Sequence, residues 1–117
     1  MNKVIKYVKG DINQLVGEGD KIITFVCIDN KNLGKVDFID VDDNTTIANM
    51  IVQKDTLLIK YGALRACLAI VNDRAFKTNA TIHIPKFQIN PDDNNWKDIE
   101  KIIQDVMSVD VIIYDLN

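Results

Sequence analysis

The side chains best suited to chemistry in this sequence are one histidine, two cysteines and several aspartates. His83 is the only histidine, and it lies between two isoleucines in a run typical of a strand. A general base or metal ligand needs polar partners, and none stands near it in sequence. Cys27 and Cys67 are far apart and have no second ligand at metal-binding spacing. We therefore predict packed, reduced side chains, no metal and no cofactor.

The amino-acid composition indicates a single globular domain and argues against nucleic-acid and membrane binding. The 117 residues are 47% hydrophobic, which predicts one domain over residues 1–117 with a core that needs no disulfide. The 17 acidic and 14 basic residues are intermixed, so no basic stripe marks a nucleic-acid groove. No apolar run approaches the roughly 20 residues that span a bilayer, and the first residues lack an apolar signal core. We expect a cytoplasmic protein that binds neither nucleic acid nor membrane.

Strands and helices alternate along the chain, and their order predicts an α/β fold. The first half contains strands at Val4–Val8 and Ile22–Ile28, then a hairpin of Val36–Val41 and Thr46–Val52 that turns at Asp42-Asp43-Asn44. The second half contains a helix from Ile59 to about Lys77, a strand at Thr81–Pro85, a helix from Trp96 to Val106 and a strand at Val109–Leu116. The run Ile22–Ile28, apolar except for Thr24, is typical of a central strand. Right-handed crossovers would make the strands of the second half parallel neighbours.

Two polar segments follow predicted strands, where loops often carry functional sites. Gly10-Asp11 ends the first strand, and the segment Gln88–Asn95 follows the strand that ends at Pro85. Asp11 is also an ordinary turn residue, and Asp92-Asp93 also suits a solvated loop before a helix, where Asn94 or Asn95 can cap. Trp96 could stack on a base, but its helical phase with Ile99 and Ile103 favours the core.

Several blocks of the sequence, taken in order, resemble a macro domain. Ile5-Lys6-Tyr7-Val8-Lys9-Gly10-Asp11-Ile12 is similar to the opening strand and turn of that family. Leu33–Phe38 and Ile47–Gln53 are similar to its middle strands. Tyr61–Leu68, Ile82–Lys86, Trp96 and Val111–Leu116 then follow in the family order. The order resembles the branch that includes the terminal ADP-ribose protein glycohydrolase and its bacterial and phage-borne relatives. It implies a three-layer α/β fold with a mixed central sheet of about six strands.

The chain departs from that family at both phosphate-binding loops. After the strand Thr24–Asp29 the family has a glycine-rich loop and helices, whereas here Asn30-Lys31-Asn32 passes almost directly to Leu33. In the second loop, Gln88-Ile89-Asn90-Pro91 stands where the family has glycines. Backbone N–H groups approach a phosphate less closely without glycine. The resemblance therefore implies a shortened form with fewer helices on one face of the sheet.

The resemblance also implies candidate site residues. Asp11 matches the aspartate that resembles an adenine-amine acceptor, with Ile12 beside it. The other expected ligand-binding residues are Asp29, Gln88, Ile89, Asn90 and Asp92. Asp92 is also the one weak catalytic candidate, because it falls where the glycohydrolase branch has an aspartate. Asp40 occupies the position of that branch's nucleophilic lysine and, having no amine, cannot form a Schiff base. The amides of Asn49 and Gln53 could reach a ligand or serve the strand ends.

Three functions stay open on this basis. The first is non-catalytic binding of ADP-ribose or a related nucleotide. The second is a protein–protein interaction module, such as a phage-encoded inhibitor or adaptor in the host cytoplasm, with a host protein or a second copy covering the strand Ile22–Ile28. The third is hydrolysis of an ADP-ribose derivative with Asp92 polarising a water. We rank hydrolysis last because the loop that positions the distal ribose is absent.

Overall fold

A computed structural model of the protein describes residues 3–15, 17–29, 31–53, 60–86 and 96–115. These ranges contain β1 (Ile5–Lys9), β2 (Lys21–Ile28), β3 (Val36–Asp42), β4 (Thr45–Gln53), α1 (Tyr61–Thr78), β5 (Thr81–Pro85), α2 (Trp96–Val106) and β6 (Val111–Asp115). The order of elements is the predicted one. The last strand begins at Val111, two residues later than predicted, because Asp110 forms hydrogen bonds to two other segments just before it. Its side chain accepts the Val4 N–H, and its carbonyl accepts the Ile82 N–H.

The six strands form one mixed sheet in the order β1-β6-β5-β2-β4-β3. Only β3 is antiparallel to its neighbour, and it forms the predicted hairpin with β4. The predicted central strand, β2, lies between β4 and β5 and pairs with both. This position corrects one expectation, since β4 and β5 are parallel but are not neighbours. β5 and β6 do pair directly, as predicted.

Both helices lie on the same face of the sheet and share one hydrophobic core. α1 buries Leu64, Cys67, Leu68, Val71 and Ala75, which recur at steps of three and four residues. α2 buries Trp96, Ile99, Ile102 and Ile103 on its single apolar face. These side chains pack against alternate residues of the inner strands: Ile22, Ala48, Met50, Val52, Ile82, Ile84, Val111 and Ile113. Each fully buried aliphatic side chain of this size contributes about 1.5–3 kcal/mol.

The connection between β1 and β2 joins two parallel strands, so the chain must return from the carboxyl edge of the sheet to the opposite edge. From the right-handedness of such crossovers we infer that this connection runs over the face opposite the helices. The described part of this connection contains turns and bends and no helix. That face thus has fewer helices, as expected. On this face Ile39 of β3 is 51% exposed, whereas Ile23 of the inner strand β2 is buried.

Candidate functional site

The carboxyl ends of the parallel strands form one edge of the sheet, the place where open α/β sheets bind ligands. Asp11 follows β1, Lys86 follows β5 and Asp29 follows β2, and all three therefore lie at this carboxyl edge. Neighbouring strands are about 4.8 Å apart, so the ends of β1 and β2 are separated by roughly 14 Å across three strand spacings. Lys86 lies between them. A span of this size suits an extended ligand better than a single small ion.

Asp11 lies in a tight turn that closes β1. Gly10 has a φ of 142°, which side-chain-bearing residues rarely adopt, and its N–H donates to the Asp115 carbonyl at 3.0 Å. Asp11 Oδ1 accepts the N–H of Asn13 at 2.9 Å. The predicted role of Asp11 as a turn residue is therefore confirmed. A carboxylate has about four acceptor positions, so this one bond leaves room for a ligand donor. Ile12 follows it and is half-buried.

Asp29 holds the short connection that leaves β2. Its two carboxylate oxygens accept the Lys31 N–H at 2.9 Å and the Asn32 side-chain amide at 2.8 Å. These bonds, the first in particular, lower the pKa of Asp29, so the carboxylate is charged at neutral pH. The Asp29 N–H donates to the carbonyl of Gln53, which links the ends of β2 and β4. The geometry gives Asp29 a clear structural task at the carboxyl edge.

The remaining expected ligand-binding residues, Gln88, Ile89, Asn90 and Asp92, lie outside the described residues, and so do the predicted helix caps Asn94 and Asn95. The two residues that flank this segment are described and contact each other. Lys86 Nζ lies 5.8 Å from the centre of the Trp96 ring, and 3.4 Å from a carboxylate oxygen of Asp115. The backbone N–H of Lys86 donates to the Tyr114 carbonyl at 2.8 Å.

Trp96 belongs to the core, as its helical phase predicted. It is 7% exposed, and its indole N–H donates to the hydroxyl of Tyr7 at 2.8 Å. The Tyr7 hydroxyl in turn donates to the carboxylate of Glu100. Partial burial and the bond to Glu100 raise the pKa of Tyr7 to about 12. This cluster ties α2 to β1, and no sequence spacing signals it, because its members are up to 93 positions apart.

His83 and Cys67 have the packed roles expected of them, whereas Cys27 is only partly buried. His83 is fully buried, with Nδ1 at 2.7 Å from the Tyr114 hydroxyl and Nε2 at 2.8 Å from the Thr81 hydroxyl. Burial, with a smaller contribution from Lys21, lowers the pKa of His83 to about 4. Burial raises the pKa of Cys67 to about 11, so the thiol is protonated and unreactive at neutral pH. Within the described ranges, no cluster of three metal-ligating side chains occurs.

Asp40 lies toward the opposite edge of the sheet, where the parallel strands begin. It accepts a hydrogen bond from the Thr46 hydroxyl at 2.9 Å and pairs with Arg74 at 3.5 Å. A cavity of about 540 Å³ opens there. Its charged lining residues are Asp20, Lys21, Asp40, Asp42, Asp43 and Arg74. Four carboxylates against two cations make this cavity unsuited to an anionic ligand, so we place the candidate site at the carboxyl edge instead.

No family model and no curated protein sequence matches the chain. Solved structures do match it. A macrodomain protein from Streptomyces coelicolor superposes with a TM-score of 0.84 at 25% identity, over 95% of this chain and 98% of that one. A protein from Bacteroides thetaiotaomicron gives 0.84 at 27% identity, over 96% and 99%. A protein of unknown function from the same organism gives 0.86 at 27% identity, over 97% and 99%.

These coverages show that the three structures are about as short as this chain. The compact form of the fold is therefore shared with them. None of the helices described here is long and apolar enough to cross a membrane. The mixed six-stranded sheet and its two helices are those of a macrodomain-like α/β fold, and the structural neighbours support the macro domain family for this chain.

Proposed function

We propose that the chain is a binding module for ADP-ribose or a related nucleotide and that it acts without catalysis. The observation that carries this proposal is the shared carboxyl edge: a macrodomain-like fold brings Asp11, Ile12 and Asp29 to one side of the sheet. Asp11 and Ile12 would receive the adenine end. The segment with Gln88, Ile89, Asn90 and Asp92 begins two residues after Lys86 and would lie near the diphosphate.

Within the macro domain family, we place the chain beside the glycohydrolase-like branch and its phage-borne members, on the residue blocks described above. Because this branch is named for a glycohydrolase activity, a non-catalytic role requires that this chain has lost the catalytic groups. Two features support such a loss. Asp40, at the lysine position, bonds to Thr46 and Arg74 away from the carboxyl edge. The connection that Asp29 holds is too short to contain the family's glycine-rich loop. Hydrolysis with Asp92 as catalyst therefore remains our last-ranked function.

The second candidate function is a protein–protein interaction module, such as a phage-encoded inhibitor or adaptor in a host cytoplasm. The exposed apolar residues on the face opposite the helices favour it. Ile39 pairs with Ile47, which pairs with Ile23, so an apolar row crosses three strands and becomes exposed at β3. A host protein or a second copy of the chain would cover that row. In both candidate functions we propose one domain over residues 1–117 and a cytoplasmic location.

Calorimetric titration of the purified protein with ADP-ribose, with its mass measured by light scattering, separates these functions. Saturable binding at micromolar concentration, about −8 kcal/mol, is the expected result for a nucleotide module. Absence of heat together with a dimeric or larger mass would replace that proposal with the interaction module. Clear turnover of an ADP-ribosylated substrate would overturn the non-catalytic assignment.

Asp11→Ala is expected to weaken ADP-ribose binding at least tenfold, or about 1.4 kcal/mol, because an acceptor at the adenine end is lost. The matched control is Asp42→Ala. Asp42 holds a similar turn at the opposite edge, where its Oδ1 accepts the Asn44 N–H at 2.8 Å. The control should keep wild-type affinity. Equal affinities for wild type and Asp11→Ala, with intact folding, would remove Asp11 from the site.

A further inference from the structure

Lys86 is a partly buried cation at the middle of the carboxyl edge. It follows β5, which lies next to β2 and two strands from β1, so Asp11 and Asp29 lie on either side of it. Its backbone continues the sheet through the 2.8 Å bond to the Tyr114 carbonyl. The position of its Cα therefore does not depend on its side chain.

The side chain of Lys86 is held in place by two neighbours. Its ammonium group lies 3.4 Å from Asp115 and 5.8 Å from the centre of the Trp96 ring. The side chains of Lys86 and Asp115 are 27% and 28% exposed, so both reach solvent. The indole beneath Lys86 is itself fixed by its bond to Tyr7. A cation held in this way loses little freedom when it binds an anion.

The sequence after Lys86 lacks the means by which a glycine-rich loop binds phosphate. Gln88, Ile89, Asn90 and Pro91 include no glycine, and Pro91 has no N–H to donate. An anion at this edge then needs another donor. An ammonium group supplies three N–H donors and a full charge.

We propose that Lys86 provides the cationic contact for the diphosphate of the bound nucleotide and that Asp115 is its built-in competitor. This inference deepens the proposed function and rests on it. Without ligand, the ammonium group of Lys86 is paired with the carboxylate of Asp115. A diphosphate that binds replaces Asp115 as the partner of the ammonium group and is repelled by the nearby carboxylate. Removing the carboxylate should therefore tighten anion binding, and removing the ammonium should weaken it.

Three variants test the pair by calorimetric titration with ADP-ribose, adenosine and inorganic pyrophosphate. Lys86→Met keeps the length of the side chain and should weaken binding of ADP-ribose and pyrophosphate at least tenfold, the size expected of a charge-assisted hydrogen bond. It should leave adenosine binding unchanged. Asp115→Asn should raise the affinity for both anions severalfold, and Lys86→Arg should retain most of it.

Lys77→Met is the matched control, because it removes the same charge from an exposed pair with Asp73 near the carboxyl end of α1. Its affinities should equal those of the wild type. Unchanged ADP-ribose affinity in Lys86→Met would overturn this inference and leave the proposed function standing. Lys86-dependent pyrophosphate binding without ADP-ribose binding would support the anion contact and overturn the proposed function. A wild type that binds neither anion would overturn both.

Discussion

Among the described residues, buried polar side chains differ in how well neighbouring groups satisfy them. His83 has a hydroxyl on each ring nitrogen, one from Thr81 and one from Tyr114 on the neighbouring strand. Thr24 is the contrasting case, because its buried hydroxyl has no hydrogen-bond partner in the part of the chain that the structure describes. A satisfied buried group costs little, whereas an unsatisfied one costs about 1–3 kcal/mol.

His83 should make the protein less stable as the pH falls. Its pKa is about 4 in the folded protein and 6.5 ordinarily. Between these values the unfolded chain binds a proton that the folded chain does not, so the free energy of unfolding falls as the pH drops from 6.5 to 4. The full effect is up to roughly 3 kcal/mol, at about 1.4 kcal/mol per pKa unit. Well above pH 6.5, where neither the folded nor the unfolded chain binds this proton, the contribution is constant.

Urea unfolding at a series of pH values, for the wild type and His83→Gln, measures this effect. Glutamine does not titrate, and its amide can still bond to Thr81 and Tyr114. The carboxylates titrate in both proteins, so the difference between the two curves isolates the histidine. Parallel curves from pH 7 to pH 4.5 would show that His83 does not couple folding to protonation.

At the scale of single elements, the two helices depend on tertiary contacts to different degrees. α2 has only 11 residues. Isolated helices shorter than about 12–15 residues are marginal in water. Its stability therefore comes from the docking of its apolar face and of Trp96. α1 is longer and is followed by Asn79, which has φ 57° and ψ 42° and donates its N–H to the Ala75 carbonyl. Asn79 thus forms a left-handed cap, a conformation that Asn tolerates better than most residues.

Asn79→Ala should lower the free energy of unfolding by about 1 kcal/mol, because a Cβ-bearing residue without a polar side chain is strained in the left-handed region. Asn79→Gly is the matched comparison and should keep or raise stability, since glycine adopts this conformation without strain. Urea denaturation of the three proteins provides the measurement. Equal destabilisation by alanine and glycine would mean that the Asn79 side chain, and not the backbone conformation, stabilises the cap.

At the scale of the whole molecule, a single core joins the two halves of the chain. Buried residues of β2 and β4 share one cluster with residues of β5, β6 and both helices. The two edge strands are tied to the same core by aromatic side chains. Tyr7 of β1 receives the indole N–H of Trp96, and Phe38 of β3 lies 4.4 Å beneath the Arg74 guanidinium. This arrangement supports the proposal of one domain.

The chain should accordingly unfold in one cooperative transition. Trp96 is the only tryptophan. It lies at the start of α2, is buried, and bonds to Tyr7 of β1, so its fluorescence reports on the contact between α2 and the edge strand β1. Far-ultraviolet circular dichroism reports on all the helices and strands. The urea midpoints from the two signals should coincide. Two separated midpoints would divide the chain into independently unfolding parts and overturn the single-domain proposal.

The sequence by itself determined the elements and their order. Apolar periodicity and turn residues are properties of neighbouring positions, so they predicted the β3–β4 hairpin, an interior position for β2, and the faces of both helices. Asp11 was identified as a turn residue for the same reason, while its ligand role came only from the family resemblance. Only the tertiary structure decided that β2 lies between β4 and β5, that Tyr7 meets Trp96, and that Lys86 pairs with Asp115. The reason is physical: these contacts depend on which distant segments come together when the apolar faces are buried, and no local pattern encodes that choice.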